Sequence, residues 1–589
     1  MRWSIVATAA AVAALAAAGT AAAGRNGFPG SRAPTRHTRG AAPTTPTTTT
    51  TTTAGATSNG TVYLTANGSW VWAPGVVDTA GGVAWGVYTD AAASPSAFAS
   101  LSVASSPSYN DSTQGFGAGY VEAALTALVI KPHWDNMQAW LLSNFANGTI
   151  PPVYQQFFNT QDAWARAGVA ANGSVDPKWA AVGVLLAQFD GLVAGYAAVA
   201  PAGAEMGVWQ FQQMNAMGDF LDLIPALQPH SVDAAPWRWW EHSAEAVMER
   251  VRATSHCSSL FKTTGNFSDI FFGHSAWFIY QGTNRIYKHY RLDLHNPALV
   301  GTEVSFSSYP GYLESMDDFY QVWTTGIVVT ETSNSIFNMS LYDLVVPQSL
   351  FAWQRVRMAN LVAVNGSTWG DAFAYANSGT YNNAYGVLTL PGWNSGDALP
   401  AGMLYLVEQI PGLVVSGDVT SNLLMGYHPM FNVPYWPAIY EASGYSEVVA
   451  HFKAAGADPA TIAGLSFQLA PRAQIFRRDQ GAVATFTDYL AIMRYNDYKN
   501  DPYAAGSPWN AICSRGDLDL HPSPSGCYDT KASAASLWDT KTAYAVNGPT
   551  TGANNALPPF AWAAFPRTPH EDLPPVYNFT FAVQTPSWY

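Results

Sequence analysis

The chain has 589 residues, of which 48% are hydrophobic and only 11% are charged, so it can build a large core and is not a disordered protein. Its formal net charge is −13, and no basic stripe is present that could neutralise phosphates. The composition therefore excludes a nucleic-acid partner.

The N-terminus has the pattern of a secretory signal peptide over residues 1–23. Arg2 supplies a positive charge, residues 4–18 are mostly apolar, and residues 21–23 are small enough for cleavage. The apolar run is shorter than the roughly 20 residues that a membrane span needs, and no other stretch is long and apolar enough. We therefore expect a lysosomal or secreted protein without a transmembrane segment.

Residues 24–58 differ in composition from the rest of the chain. They contain four arginines and then Pro and Thr, with an unbroken threonine run at residues 47–53. Such a segment cannot bury apolar surface and is typical of a disordered linker. No second boundary of this kind follows residue 60, so the remainder is predicted to be a single large globular unit.

Nine Asn-X-Ser/Thr sequons agree with a glycoprotein of the secretory pathway. The predicted N-glycosylation positions are Asn59, Asn67, Asn110, Asn147, Asn172, Asn266, Asn338, Asn365 and Asn578.

Three cysteines leave one thiol without a natural partner. Cys513 and Cys527 are close in sequence and lie in a Pro/Ser/Gly-rich loop, which a disulfide would stabilise by about 3 kcal/mol. Cys257 is then alone. A lone cysteine is commonly an inert buried thiol, but the residues around Cys257 indicate a reactive one.

The residues around Cys257 predict a helix followed by a β-hairpin. Residues 244–252 have helical apolar spacing, and a strand is predicted to begin at Cys257. Gly265-Asn266 is a two-residue hairpin signal, and residues 267–274 form the predicted return strand. This register sets His274 directly opposite Cys257, with Cβ atoms about 5 Å apart.

A thiol at the start of a strand, after a short connector, is suited to autoproteolysis. Attack of the Cys257 thiol on the His256 carbonyl would give a thioester, which water then releases. Cys257 would gain a free α-amine with a solution pKa near 8, able to serve as general base for its own thiol. The predicted products are an N-terminal fragment of residues 59–256 and a catalytic fragment of residues 257–589.

A series of ordered motifs covers residues 60–589 and resembles the phospholipase B-like, or lamina ancestor-like, family of N-terminal nucleophile (Ntn) hydrolases. The motifs include Cys257-Ser-Ser-Leu, Gly-His274-Ser-Ala-Trp277, Glu331-Thr-Ser333, Asn377-Ser-Gly-Thr-Tyr-Asn-Asn383, Phe431-Asn-Val-Pro434, Pro471-Arg-Ala-Gln and Gly526-Cys-Tyr-Asp-Thr-Lys531. The resemblance implies an α+β fold, an αββα four-layer sandwich. It also implies two fragments that remain associated after the cut and no cofactor.

The resemblance also implies roles for site residues. Cys257 is the nucleophile and amine base, His274 and Trp277 flank it on the return strand, and Ser333 supplies a hydroxyl. Asn432 resembles the oxyanion-hole asparagine and Arg472 the arginine that orients the amine or substrate. Asn377 and Asn382 are secondary candidates for which a turn-forming role is favoured.

Other catalytic patterns are missing from the sequence: no Gly-X-Ser-X-Gly elbow and no His-Glu-X-X-His spacing occurs, so no metal site is predicted. The first functional interpretation is an acyl hydrolase of phospholipids or lysophospholipids. An amidase acting on N-acylated lipids or small molecules is equally compatible with the site. A weakly active lumenal lipid-binding glycoprotein is the third interpretation, and the oligomeric state stays open.

Overall fold

The computed structural model describes residues 57–145, 147–227, 238–254, 257–552 and 556–588. The predicted signal peptide and all but the last two residues of the predicted linker lie outside these ranges, as does His256. The first strand begins at Thr57, inside the predicted linker, because Thr57 and Ser58 already pair with Thr89 and Tyr88.

The secondary structure of the described residues mixes strands and helices. The strands are β1 (Thr57–Leu64), β2 (Trp70–Pro74), β3 (Ala84–Thr89), β4 (Phe98–Ser105), β5 (Ser258–Thr263), β6 (Ile270–Ile279), β7 (Arg285–Arg291), β8 (Glu303–Ser308), β9 (Phe319–Val322), β10 (Ile327–Ser333), β11 (Asn383–Thr389), β12 (Leu404–Ile410), β13 (Leu413–Asp418), β14 (Tyr427–Met430), β15 (Ser525–Ala534), β16 (Ala543–Asn547), β17 (Phe560–Ala561), β18 (Val576–Tyr577) and β19 (Ala582–Gln584). The helices are α1 (Asp111–Ser143), α2 (Pro152–Asn172), α3 (Pro177–Val199), α4 (Val208–Asn215), α5 (Met217–Leu227), α6 (Ala244–Thr254), α7 (Ala352–Val362), α8 (Gly366–Ala374), α9 (Thr420–Leu424), α10 (Pro437–Ala442), α11 (Tyr445–Ala454), α12 (Pro459–Ala463), α13 (Pro471–Asp479) and α14 (Phe486–Met493).

Two large sheets organise these elements, which belong to one unit. The first sheet has the strand order β13-β12-β11-β10-β9-β8-β7-β4-β3-β1-β2 and is antiparallel except where β4 pairs with β7. The second has the order β14-β5-β6-β15-β16-β19 and is antiparallel throughout. The second sheet carries β5 and β6, the two strands predicted to hold the thiol and the imidazole.

The apolar residues of β5 and β6 alternate between two cores, as a period of two requires. Phe261 and Phe272 join a cluster with residues of the first sheet such as Phe319, so this core lies between the two sheets. Leu260 and Phe271 instead join a cluster with residues of α11, α13 and α14. A third and larger cluster joins α1–α5 and α7 to the first sheet. The predicted α+β fold is therefore confirmed, with the sheets in contact and helices against each of them.

Helix α3 is the one described helix that is long and apolar enough to cross a membrane, and 56% of its most apolar window is buried. It packs along α1 at glycines, since a Cβ on Gly191 would lie 1.9 Å from the Phe116 carbonyl oxygen and one on Gly119 would lie 1.9 Å from the Gln188 carbonyl oxygen. Its apolar surface thus contributes to the core.

The predicted helix before Cys257 and strand after it are present, as α6 and β5. The predicted hairpin register was wrong by two residues: Ser259, not Cys257, stands opposite His274. The turn is longer than Gly265-Asn266 because the Thr264 hydroxyl accepts the Asp269 N–H and the Thr264 N–H bonds the Asp269 carbonyl. An even shift preserves the face of each side chain, so His274 still points toward the thiol.

Candidate active site around Cys257

Cys257 precedes β5 directly and is 1% exposed. Its backbone has φ +88°, in the left-handed region that residues with a Cβ rarely adopt. Such a conformation costs on the order of 1–3 kcal/mol and persists only where the surrounding structure holds it. The lone thiol therefore lies at a strained and deeply buried point of the backbone.

The thiol contacts a carboxylate that also lies next to His274. Cys257 Sγ donates to Glu331 Oε1 at 3.4 Å, and His274 Nε2 lies 3.7 Å from the same oxygen. The three donor and acceptor atoms lie within 4.8 Å of one another, and all three side chains are buried. Glu331 comes from β10 of the first sheet, so the site forms where the two sheets meet.

Lys531 determines which nitrogen of His274 carries the proton. Lys531 stands opposite His274 in the β6–β15 pairing, and its Nζ lies 3.0 Å from His274 Nδ1. An ammonium group has no acceptor, so Nδ1 must accept this hydrogen bond. Burial first, and then the Lys531 charge, hold the pKa of His274 well below its ordinary value. The neutral imidazole therefore has its proton on Nε2, which faces Glu331 and the thiol.

A buried ion network holds Lys531 in place. Its ammonium bonds Asp529 at 2.9 Å and also contacts Asp317. Arg285 bridges the same two carboxylates, at 2.7 Å from Asp317 and 2.8 Å from Asp529. Because a lone buried charge is very costly and a paired one is tolerated, removal of any member would leave an uncompensated charge.

The Cys257 thiol and the Glu331 carboxyl both have raised pKa values. Burial and then the neighbouring Glu331 charge raise the pKa of Cys257 well above its ordinary value, although the Trp277 backbone N–H opposes the shift. Burial also raises the pKa of Glu331 well above the usual range, against the hydrogen bond from Cys257. Cys257 is therefore held as a thiol, so it needs a proton acceptor in order to attack.

Arg472 connects the remaining predicted residues to Cys257. Its guanidinium donates to the Cys257 carbonyl at 2.6 Å and to Asn432 Oδ1 at 2.7 Å, and it stacks over the Trp277 ring at 4.2 Å. Asn432, itself at φ +70°, donates its amide to the Ser333 carbonyl at 2.7 Å. The structure thus brings together all six residues predicted for the site.

The secondary candidates have the turn-forming contacts that the sequence favoured. Asn377 accepts the Gly379 N–H and donates to the Ile410 carbonyl, whereas Asn382 donates to the Gly379 carbonyl. Asn382 also lines the larger of two adjoining cavities near the site.

These two cavities adjoin at Leu221 and Tyr381. The smaller is narrow and is lined by Cys257 itself together with Trp277 and Phe278. The larger is lined by Ser333 and by Arg250 and Val251 of α6. The segment before the predicted cut therefore forms part of the wall of the larger cavity.

Cys257, His274 and Glu331 are also a combination of residues that can bind a metal ion. A histidine ligand normally donates its second ring N–H to a carboxylate or carbonyl, which leaves the ligating nitrogen unprotonated. His274 has the opposite arrangement, because Lys531 occupies Nδ1 as a donor and the proton lies on Nε2. With its proton on Nε2, His274 is not placed to bind a metal ion through that nitrogen.

Sequence reasoning missed Glu331, Lys531, Asp317 and Arg285 as members of the site. Glu331 and Lys531 belong to motifs quoted from the sequence, but Glu331 is 74 residues from Cys257 and Lys531 is 257 residues from His274. Only the pairing of distant strands brings them together. The predicted disulfide between Cys513 and Cys527 is present, and it packs against Trp277.

The predicted glycosylation positions differ in accessibility. Exposed asparagines are Asn67, Asn110, Asn147, Asn266 and Asn578; half-buried ones are Asn59, Asn172, Asn338 and Asn365.

The site thus combines a buried cysteine at the start of a strand with an arginine that bonds its carbonyl and an asparagine that bonds this arginine. The family model described as Phospholipase B matches residues 84–584. The chain is 42% identical to Phospholipase B-like 1 of Bos taurus over 475 residues. This alignment covers 80% of this chain and 82% of the relative. The chain is also 41% identical over 478 residues to Phospholipase B of Crotalus adamanteus, covering 80% and 82%. The chain belongs to the phospholipase B family, which confirms the resemblance found in its sequence.

Proposed function

We propose that this protein is an Ntn-type cysteine hydrolase that cuts its own chain before Cys257 and then removes fatty acyl groups from phospholipids or lysophospholipids. The family supports a phospholipase B-like hydrolase. The observation that carries the mechanism is the buried thiol with Arg472 and Asn432 fixed beside it. Two contacting sheets with helices against each support the αββα four-layer sandwich of Ntn hydrolases as the fold.

Self-cleavage would begin at a strained peptide. The thiol of Cys257 attacks the carbonyl of residue 256, the C–N bond breaks, and a thioester forms. The φ of +88° at Cys257 supports this site, since strain on the order of 1–3 kcal/mol would be released by the cut. The new α-amine then acts as general base for the thiol during substrate turnover.

Asn432 and Arg472 supply the fixed donors that acyl transfer needs. Losing one oxyanion donor typically costs about 3 kcal/mol of activation free energy. Arg472 holds the Asn432 amide by its oxygen, which leaves the NH2 end directed away from the guanidinium. In the cut protein, its positive charge beside Cys257 would disfavour protonation of the α-amine and so keep it basic.

The apolar lining beside the thiol supports an acyl substrate. Leu221, Phe278 and Met316 form an apolar side of the cavity that contains Cys257, and the polar residues Asp317, Tyr381 and Tyr528 also line it. We propose that the acyl chain enters beside these residues only after the segment before the cut has moved, because the cavity at Cys257 now has room for little more than a water molecule.

The signal peptide and sequons support a lysosomal or secreted glycoprotein whose two fragments remain associated. Extensive pairing across the proposed cut favours this association: β4 of the first fragment pairs with β7 of the second over seven residues.

The test compares Cys257→Ala with Ser259→Ala, a change of similar size two residues away that leaves the thiol intact. Purified proteins are run on a denaturing gel and incubated with phospholipid and N-acylethanolamine, and released fatty acid is measured. We expect Cys257→Ala to remain one chain without activity and Ser259→Ala to be cut and active on phospholipid. A Cys257→Ala chain that is still cut would refute the mechanism. Release only from the N-acylethanolamine would make the protein an amidase, and release from neither would favour a lipid-binding role.

A further inference from the structure

Before the cut, Cys257 has no α-amine, so the base proposed for substrate turnover does not yet exist. Its thiol is buried and protonated, and attack requires an acceptor within hydrogen-bonding reach. Among the described residues, the carboxylate and imidazole groups close to it are those of His274, Asp317 and Glu331. The question is which of them can take the proton.

His274 is the residue usually expected to act as the base, but neither of its ring nitrogens is available to accept the thiol proton. Lys531 donates to Nδ1, which leaves Nε2 with its proton and directs that N–H toward Glu331 and the thiol. An imidazole nitrogen that carries a proton is a donor and not a base. For Nε2 to accept the thiol proton, the ring proton would have to move to Nδ1, where it would face the ammonium donor of Lys531 instead of an acceptor.

Asp317 is also unsuitable as the acceptor. Arg285 and Lys531 both pair with its carboxylate, and against the effect of burial they lower its pKa. A carboxylate stabilised by two cations binds a further proton weakly.

We propose that Glu331 accepts the thiol proton of Cys257 during self-cleavage and that His274, held by Lys531, acts as a hydrogen-bond donor to Glu331. This inference rests on the proposed self-cleavage. Glu331 Oε1 already receives the Cys257 S–H at 3.4 Å, and the Glu331 side chain is fully buried beside the thiol. The raised pKa of Glu331 makes its carboxylate a stronger base than an ordinary glutamate.

The proton and bond changes balance without a further reagent. The S–H proton moves to Glu331 Oε1 as Sγ bonds the carbonyl carbon of residue 256, which gives a tetrahedral oxyanion. The carbon–nitrogen bond to Cys257 then breaks, and protonated Glu331 returns its proton to that nitrogen. The products are a thioester and a free α-amine. Water hydrolyses the thioester to a carboxylate and restores the thiol.

The test uses glutamine at two positions, because glutamine reproduces different properties at each. Glu331→Gln keeps the shape of the acceptor but removes its basicity. His274→Gln keeps an oxygen that can accept from Lys531 and an NH2 that can donate to Glu331, but removes the imidazole. Glu314→Gln is the matched control, a buried glutamate that has a raised pKa and is not in contact with Cys257.

The measurement is the fraction of pulse-labelled full-length chain that is cut with time, with folding checked by thermal melting. We expect Glu331→Gln to slow the cut by about 10²–10⁴-fold, His274→Gln to slow it by no more than about 10-fold, and Glu314→Gln to leave it unchanged. Cutting of Glu331→Gln at the wild-type rate, or a His274→Gln chain that folds but is not cut, would overturn the assignment. If Glu331→Gln does not fold, the His274→Gln result decides.

Cys257→Ala separates this inference from the proposal on which it depends. If that variant is cut, Cys257 is not the nucleophile and both fail. If it remains whole while Glu331→Gln is cut normally, the nucleophile stands and only the role of Glu331 is refuted.

Discussion

Glu408 offers a direct test of how a buried carboxyl group makes stability depend on pH. The side chain lies on β12 and is fully buried, and its two oxygens accept the N–H groups of Tyr435 at 2.7 Å and Trp436 at 3.0 Å. These residues follow closely on Asn432, so Glu408 anchors the loop that carries the proposed oxyanion donor. Burial outweighs both hydrogen bonds and raises the pKa of Glu408 from 4.5 to about 8.

The sign of the effect follows from proton binding. The folded protein keeps Glu408 protonated up to a pH of about 8, whereas the unfolded chain loses the proton near 4.5. The stabilisation is therefore complete below 4.5 and is lost as the pH rises through this window. Between pH 5 and 7.5 the loss amounts to about 3 kcal/mol from this one group. For a protein of this size, that is a change of about 3 °C in Tm.

The assay compares the Tm of wild type and Glu408→Gln at pH 5 and pH 7.5, with the exposed Glu447→Gln as control. Glutamine cannot accept from both backbone N–H groups, so the variant should be less stable at pH 5 by roughly 1–3 kcal/mol. Because glutamine does not titrate, wild type alone should lose about 3 kcal/mol by pH 7.5, so the variant should then be as stable as wild type or up to about 2 kcal/mol more stable. A gap of equal size at both pH values would refute the reasoning.

Two further predictions concern the surroundings of the site. Arg472→Lys should slow self-cleavage by roughly 10–100-fold in the pulse-labelling assay. A single ammonium group cannot bond both the Cys257 carbonyl and Asn432 as the guanidinium does. A cleavage rate equal to wild type would contradict this role of Arg472. Replacing both Cys513 and Cys527 by serine should lower the free energy of unfolding by about 3 kcal/mol, because the disulfide closes a short loop. The change is measured from the denaturant midpoint. An unchanged midpoint would show that the loop keeps its structure without the disulfide.

The sequence could predict the parts of the fold that depend on local pattern. Helix α6 and strand β5 were predictable from apolar spacing, and the disulfide from the separation of two cysteines in one loop. The register of β5 and β6 was wrong because side-chain bonds of Thr264 extend the turn beyond Gly265-Asn266. The prediction that His274 approaches Cys257 nevertheless held, because an error of two residues leaves the face of a strand unchanged.

The ion network could not be predicted from the sequence in the same way. Glu331 reaches Cys257 only because the two sheets meet at that point, and Lys531 reaches His274 only because β15 pairs with β6 in one register. Asp317 and Asp529 are brought to Lys531 by the same packing. Strand pairing between distant segments depends on the whole fold, so no local spacing encodes these contacts. A buried lysine is nevertheless a useful signal, since its charge demands partners.

The arrangement of charges agrees with the proposed mechanism, in which the site acts once on its own chain and then repeatedly on a substrate. In the uncut chain, only side chains can act as the base for the thiol. Lys531 donates a hydrogen bond to His274 Nδ1, so the imidazole does not serve as that base. Glu331 is left as the acceptor, and its buried position makes it a base while limiting the fraction that is ionised. In the proposed mechanism, one carboxyl group would thus control the first cut. The α-amine released by that cut would lie on the same residue as the thiol and take over as base, so substrate turnover would no longer depend on the ionisation of Glu331.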